Sequence, residues 1–129
     1  MDAAGALERL KQDSSQVERA VVLGGDGVVL GSTSSDDAAS ERLASVARDL
    51  AAAAGDLHAS SDEVTRVEVE LAEGAVFVIR EGERTIAAVT GSEPTAGLVA
   101  YDLRTCLHAI DEAPKPKRRR TAKPKEDEE

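Results

Sequence analysis

The chain has 129 residues, of which 41% are apolar and 2% aromatic, and its formal net charge at pH 7 is −9. This length predicts a single domain whose core is built from Val, Leu, Ile and Ala, because only Phe77 and Tyr101 carry large rings. The low aromatic content excludes a base-stacking platform for single-stranded nucleic acid. The single cysteine excludes an intramolecular disulfide and a multi-cysteine metal site. The acidic N-terminus has no long apolar run, so we expect a cytoplasmic protein with neither a signal peptide nor membrane insertion.

The first part of the chain predicts one helix and two strands. Residues 3–13 have apolar side chains at the spacing i, i+3, i+4, i+7, which places them on one face of a short helix. Residues 17–24 and 27–33 are rich in valine and short enough to be strands. The close spacing of the two strands predicts a hairpin.

A glycine cluster joins these strands, and it could either bind a phosphate or reverse the chain. A dinucleotide fingerprint G-x-G-x-x-G that starts at Gly25 fails at its third glycine, which is Leu30 here, and no lysine follows as a P-loop requires. We therefore expect Gly25, Asp26 and Gly27 to supply the positive-φ positions of a tight turn, and we expect no cofactor.

Residues 34–55 predict the longest helix, with Gly55 as its stop. Asp36 and Asp37 could be half of a metal site, but no further ligand lies at a suitable spacing, so helix capping is the better interpretation. Alanines widen the apolar stripe of this helix, which can therefore pack on a sheet and also on a copy of itself. The stripe consists of Leu43, Val46, Ala47, Leu50 and Ala54.

The second half of the chain predicts three strands and a final helix. Residues 64–71 alternate apolar and charged side chains, which is typical of a strand with one wet face. Residues 75–80 and 84–91 are apolar on both faces and are expected inside a sheet. The connections are of hairpin length, so the three strands form an antiparallel meander. A helix follows from near Pro94 to about residue 110, with Leu98, Val99, Leu103, Cys106, Leu107 and Ile110 on its apolar face.

The resulting order, α-β-β-α-β-β-β-α, predicts an α+β fold: a single α/β sandwich around one antiparallel sheet. The segments "VERAVVLGGDGVVLGST", "ERLASVARDLAAAAGDL" and "TAGLVAYDLRTCL" occur in an order and spacing that resemble the roadblock/dynein light chain domain family over residues 3–110. The resemblance implies a five-stranded antiparallel sheet with the long helix on one face and the terminal helices on the other. It also implies no cofactor, dimers formed through the long helix and the strand after it, and binding to Ras-like small GTPases or an adaptor role.

The residues themselves also favour a dimer. An outer, valine-rich strand over residues 64–71 would be an exposed edge, which proteins usually cover, and pairing with a symmetry mate would remove it. We expect a homodimer, while a heterodimer with a paralogue stays open. The charged face with Glu68 and Glu70 is either solvated or an acidic patch for a partner. The hypothetical dimer interface comprises Leu43, Val46, Ala47, Leu50, Val64, Arg66 and Glu68.

The sequence offers no catalytic set, and we expect a protein that is not an enzyme. His58 and His108 are the only imidazole bases. His108 lies two positions after Cys106, so the two side chains point about 200° apart on a helix. Cys106 lies on an apolar stripe, where a small core residue is the usual role.

The C-terminal residues 111–129 carry seven basic against six acidic residues, whereas residues 1–110 carry nine against nineteen, a net charge of −10. An acidic body repels nucleic acid. The C-terminal segment has no apolar periodicity and is predicted to be a disordered tail.

As an alternative function, the domain only dimerises and the tail tethers it to nucleic acid or an anionic surface. Thr121 in this tail could be a kinase site. The basic residues of the tail are Lys115, Lys117, Arg118, Arg119, Arg120, Lys123 and Lys125.

Overall fold

The computed structural model describes residues 1–57 and 65–111. These residues form three helices and five strands in the predicted order α-β-β-α-β-β-β-α. The elements are α1 (Ala3–Asp13), β1 (Val17–Leu23), β2 (Val29–Ser32), α2 (Asp37–Gly55), β3 (Arg66–Leu71), β4 (Gly74–Glu81), β5 (Arg84–Thr90) and α3 (Ala96–Ala109).

The five strands form one sheet in the order β2-β1-β5-β4-β3, and every neighbouring pair is antiparallel. The predicted five-stranded antiparallel sheet is therefore confirmed. The strand β5 lies at the centre, where Ile86 pairs with Val22 on one side and with Ile79 on the other. The first hairpin and the meander of β3 to β5 are thus joined through β1 and β5, which are distant in sequence.

Each face of the sheet carries its own apolar core, because successive side chains of a strand point to opposite faces. The face with Val22, Phe77 and Ile86 packs against α1 and α3. The opposite face, with Val21 and Val78, packs against α2. Phe77, one of the two large rings, is fully buried in the first core.

The predicted apolar faces of two helices need correction. On α2, the buried residues are Ser40, Ala44 and Ala47, whereas Leu43 and Leu50 are half-buried and Val46 is 39% exposed. Small side chains allow the helix to approach the sheet closely, so they face it and the larger residues lie at the flanks. On α3, Leu98 is 50% exposed, since the residues that face the sheet begin at Val99.

The turn between β1 and β2 also differs from the expectation. Of the three turn residues only Gly27 has a positive φ (83°); Gly25 and Asp26 do not. The Gly27 N–H donates to the Gly24 carbonyl over 2.9 Å, which closes an i to i+3 turn with Gly25 and Asp26 at its centre. A turn of this kind requires a left-handed residue only at its exit. The strand register shifts beside the turn, because Val22 pairs with Gly31 and Leu23 with Val29.

The last described residue, Asp111, is bonded to the body although the sequence assigns it to the tail. Its carboxylate lies 2.6 Å from the N-terminal ammonium of Met1, and its N–H donates to the Met1 carbonyl. The Arg84 guanidinium donates to the carbonyl of Asp111 over 2.7 Å. The basic residues of the predicted tail, and Thr121, lie outside the described residues.

Candidate self-association surface

The strand β3 is one outer strand of the sheet: within the described residues it pairs with β4 alone. Val67 and Val69 pair with Val78 and Val76, on the face that α2 covers, and both are half-buried. Arg66 and Glu68 pair with Ile79 and Phe77 and therefore lie on the opposite face. The alternation predicted for this strand is present, and its valines lie beside α2.

The structure places the predicted interface residues on two faces of one edge. Leu43, Val46 and Leu50 lie on the α2 side, as do the valines of β3, whereas Arg66 and Glu68 lie on the side of α1 and α3. Ala47 is 1% exposed because it packs against the sheet of its own chain, so it belongs to the core and offers no surface to a partner. Val64 lies outside the described residues.

Arg66 and Glu68 form an ion pair along the strand. The Arg66 Nη2 lies 2.9 Å from Glu68 Oε1, and both side chains are 35% exposed. Exposed ion pairs of this kind contribute at most about 1 kcal/mol, so little free energy opposes an exchange of partners. The pair can therefore be rearranged if another strand approaches this edge.

Two further exposed apolar residues, Leu71 and Leu57, were not among the predicted interface residues. Leu71 is 58% exposed at the end of β3, on the same face as Val67 and Val69. Leu57 is 80% exposed just after α2. The period-2 alternation of β3 could have identified Leu71 as part of the surface, whereas no pattern in the sequence singles out Leu57.

The residues that could perform catalysis are separated or inactivated. Cys106 lines a cleft of about 290 Å³ between α1 and α3, but burial raises the pKa of its thiol to about 11, which keeps the thiol protonated at neutral pH. Asp102 in the same cleft has a raised pKa, because it is desolvated and because Asp13 is nearby. These groups give no activated nucleophile.

His108 points away from this cleft and contacts a carboxylate. Its Nε2 lies 2.5 Å from Glu81 Oε1, and the Arg104 Nε lies 3.2 Å from Glu81 Oε2. The arrangement links the end of α3 to the end of β4. His58 lies outside the described residues, and among those described no group of His, Cys, Asp and Glu could hold a metal ion.

Three amide groups of the glycine turn are engaged within the turn itself. The N–H groups of Gly24 and Gly27 donate to the carbonyls of Val28 and Gly24, and the Val28 N–H donates to Asp26 Oδ1 over 3.1 Å. Arg48 of α2 donates to the Gly27 carbonyl over 2.7 Å. A phosphate cradle needs N–H groups that point to a ligand, and these three point to partners within the loop.

None of the described helices is both long and apolar enough to cross a membrane.

Comparison with known proteins gives a family and a fold. The Roadblock/LC7 domain family matches residues 4–90. A search of curated proteins found no significant match. Among solved structures, a Roadblock/LC7 domain from Streptomyces avermitilis superposes with a TM-score of 0.73 at 24% identity, covering 84% of this chain and 94% of that chain.

Two further solved structures are MglB proteins. MglB from Myxococcus xanthus has a TM-score of 0.62 at 14% identity, and the match covers 81% of this chain and 80% of that chain. An MglB structure with a tetrameric arrangement has a TM-score of 0.62 at 16% identity, covering 84% of each chain. At these identities the likeness establishes the fold alone. The family match begins in the first turn of α1 and ends with β5, so it covers more than half of the chain. The protein therefore belongs to the Roadblock/LC7 domain family.

Proposed function

We propose that this chain is a non-catalytic dimeric binding module that regulates or scaffolds a Ras-like small GTPase. Its membership of the Roadblock/LC7 family and the protonated, buried state of its cysteine support a binding role rather than catalysis. The observation that carries the dimer is the outer strand β3, whose half-buried valines lie on the face that α2 covers, together with the exposure of Val46 on α2.

The charges of β3 suit pairing with a second copy of the same strand. In an antiparallel arrangement about a two-fold axis, residues at equal distances from the axis lie opposite each other. An axis at Val67 places Arg66 opposite the partner subunit's Glu68, and an axis at Glu68 places Arg66 opposite the partner subunit's Glu70. Opposite charges across antiparallel strands contribute about 0.2–1 kcal/mol per pair. The axis at Val67 is the more favourable of the two, because an axis at Glu68 would also place Glu68 opposite the partner subunit's Glu68, and like charges directly opposite each other are destabilising.

The role toward the GTPase is expected to be indirect. A non-catalytic module would orient the groups of the GTPase itself or hold it in an assembly, and it need not insert an arginine. Arg48, one candidate for such an insertion, already donates to Gly27 and pairs with Glu41. A paralogue in place of the second copy would leave this function unchanged.

Light scattering of the purified chain tests the dimer. We expect a mass of two chains at micromolar concentration, and a mass of one chain for Val46→Glu, because a charge would be buried in the interface. Leu98→Glu is the matched control: Leu98 is also partly exposed, but it lies on α3 in the opposite layer, so this variant should stay dimeric. A wild-type mass of one chain would contradict self-association.

Affinity purification of the full chain from its native cell, followed by mass spectrometry, tests the GTPase. We expect a Ras-like GTPase to be enriched, and we expect purified chain to change its rate of GTP hydrolysis or its assembly with other proteins. Enrichment of other proteins with no GTPase among them would make the proposed partner wrong while leaving the dimer unaffected.

A further inference from the structure

The strand β2 forms the second edge of the sheet, and it differs in charge from the β3 edge. Within residues 1–57 and 65–111, β2 pairs with β1 alone. The β3 edge carries Arg66, Glu68 and Glu70, and such charges restrict pairing to a strand that places opposite charges across from them. Residues 27–35, which contain β2, include no charged residue, although 32% of the whole chain is charged. The β2 edge thus has no charges that would select a charged partner strand.

This uncharged edge also exposes large apolar side chains. Val28 is 57% exposed and Leu30 is 49% exposed. The strand that carries them is held in place from both sides. A Cβ added at Gly31 would lie 3.1 Å from Ala3 Cβ, so α1 packs closely on one face, and the Ser32 hydroxyl lies 2.6 Å from that of Ser40 on α2. Helices therefore fix β2 in position without covering Leu30.

A groove of about 980 Å³ begins at Leu30 and runs to the end of α3. Leu30 and the buried residues Leu107 and Ile110 supply its apolar lining, and Glu81, Glu83 and Arg84 line it with both signs of charge. A volume of this size can receive one or more side chains of a bound peptide. The free edge of β2 and this groove are continuous, because Leu30 belongs to both.

We propose that the outer edge of β2 binds an extended, uncharged strand of a partner protein. The backbone of that strand would pair with β2, and one of its apolar side chains would enter the groove beside Leu30, as in other cases of strand addition to a sheet edge. The surface is distinct from the α2 and β3 surface, so the inference depends neither on self-association nor on a GTPase.

Charge and size favour a strand of a partner protein over two other ligands for this edge, the C-terminal segment and a second copy of the chain. The basic residues of the C-terminal segment would meet no carboxylate in residues 27–35, and the groove rim carries mixed charge. A second copy paired through β2 would rely on a strand of four residues. Such a strand is about 14 Å long, and in a symmetric pair it would have to supply the interface by itself, although stable protein pairs bury about 1,600 Å² in total. A partner strand can extend past β2 and also place a side chain in the groove beside Leu30.

Selection from a phage-displayed library of random linear peptides tests the inference with the full-length chain as bait. We expect enriched peptides to alternate apolar and uncharged polar residues, and we expect their affinity to fall about tenfold or more for Leu30→Lys and Val28→Lys. Leu98→Lys is the control, because Leu98 is 50% exposed and Leu30 49%, but Leu98 lies on α3. Two substitutions, one in β2 and one just before it, guard against the misfolding of one variant.

Amide hydrogen exchange then locates the site. With the best enriched peptide bound, the amides of β2 should become protected while those of β3 stay unchanged. The proposal would be overturned if no enriched peptide depended on Leu30 and Val28, or if the peptide protected β3 instead. Equal or tighter binding of a synthetic peptide of residues 27–35 would assign the edge to a second copy, and equal or tighter binding of residues 112–125 would assign it to the tail; either result would overturn the proposal too.

Discussion

At the scale of single residues, Gly74 is the position where the fold tolerates no side chain. A Cβ at this glycine would lie 2.1 Å from the Thr90 carbonyl oxygen, and the atom it would meet belongs to the backbone. In the sequence, this glycine is only the last residue of a short connection between two strands. The close approach exists because β4 begins beside the end of β5, where Ala75 pairs with Thr90.

We expect Gly74→Ala to lower the free energy of unfolding by about 3 kcal/mol or more, since overpacking against a backbone atom cannot be relieved by a change of rotamer. Urea denaturation measures the loss. Gly97→Ala is the control: no heavy atom lies within 4 Å of a Cβ there, and the position is helical. That variant should leave stability unchanged or raise it by up to about 1 kcal/mol. Equal stabilities of the two variants would show that the contact at Thr90 is absent.

At the scale of elements, α2 illustrates how local sequence starts a helix. Asp36 is the N-cap, and its carboxylate accepts from the N–H groups of Ala38 (3.0 Å) and Ala39 (3.3 Å). Asp37 follows in the first turn, where the positive end of the helix dipole stabilises an acidic side chain. The capping interpretation is therefore confirmed for Asp36, and Asp37 lies in the first turn, where an acidic side chain was expected.

Removing this cap should destabilise the protein measurably. We expect Asp36→Ala to cost about 1 kcal/mol of unfolding free energy in chemical denaturation, whereas Asp36→Asn should retain most of the stability because asparagine is also a good N-cap. Asp49→Ala, an exposed position within the same helix, serves as the control and should not destabilise the protein. A loss as large for Asp49→Ala as for Asp36→Ala would contradict the capping role.

At the scale of the whole molecule, the sheet has two open edges with opposite character. The β3 edge carries charges that can pair across a two-fold axis, and the β2 edge carries none. The domain is acidic, and a basic segment follows it after Asp111, which is itself bonded to Met1 and Arg84. Any attraction to nucleic acid must therefore come from that basic segment.

The alternative of a tethering tail makes a prediction about salt. If all seven basic residues contacted phosphates, the logarithm of DNA affinity would fall with the logarithm of salt concentration at a slope of about −6. We expect weak retention of the full chain on a duplex DNA column at low salt, lost at physiological salt, and none after deletion of residues 112–129. Unchanged retention after this deletion would rule out the tail as the DNA-binding segment. The shortened chain should still have the mass of two chains in light scattering.

Local patterns in the sequence were sufficient for most elements of the fold. The period of apolar residues determined where α1, α2 and α3 lie, because one helix face must be buried, and the alternation in β3 determined its wet and dry faces. The spacing of Cys106 and His108 was sufficient to show that these two side chains diverge on a helix.

Only the tertiary structure decided which residues of α2 and of the sheet edges are exposed. The register of α2 on the sheet depends on close packing between elements, and it buried Ala47 while it exposed Val46. The pairing of β1 with β5 depends on contacts between residues far apart in sequence, and it left β2 and β3 as the two edges. Local periodicity contains no information on such contacts, so the uncharged edge and the groove beside Leu30 became visible only in the folded chain.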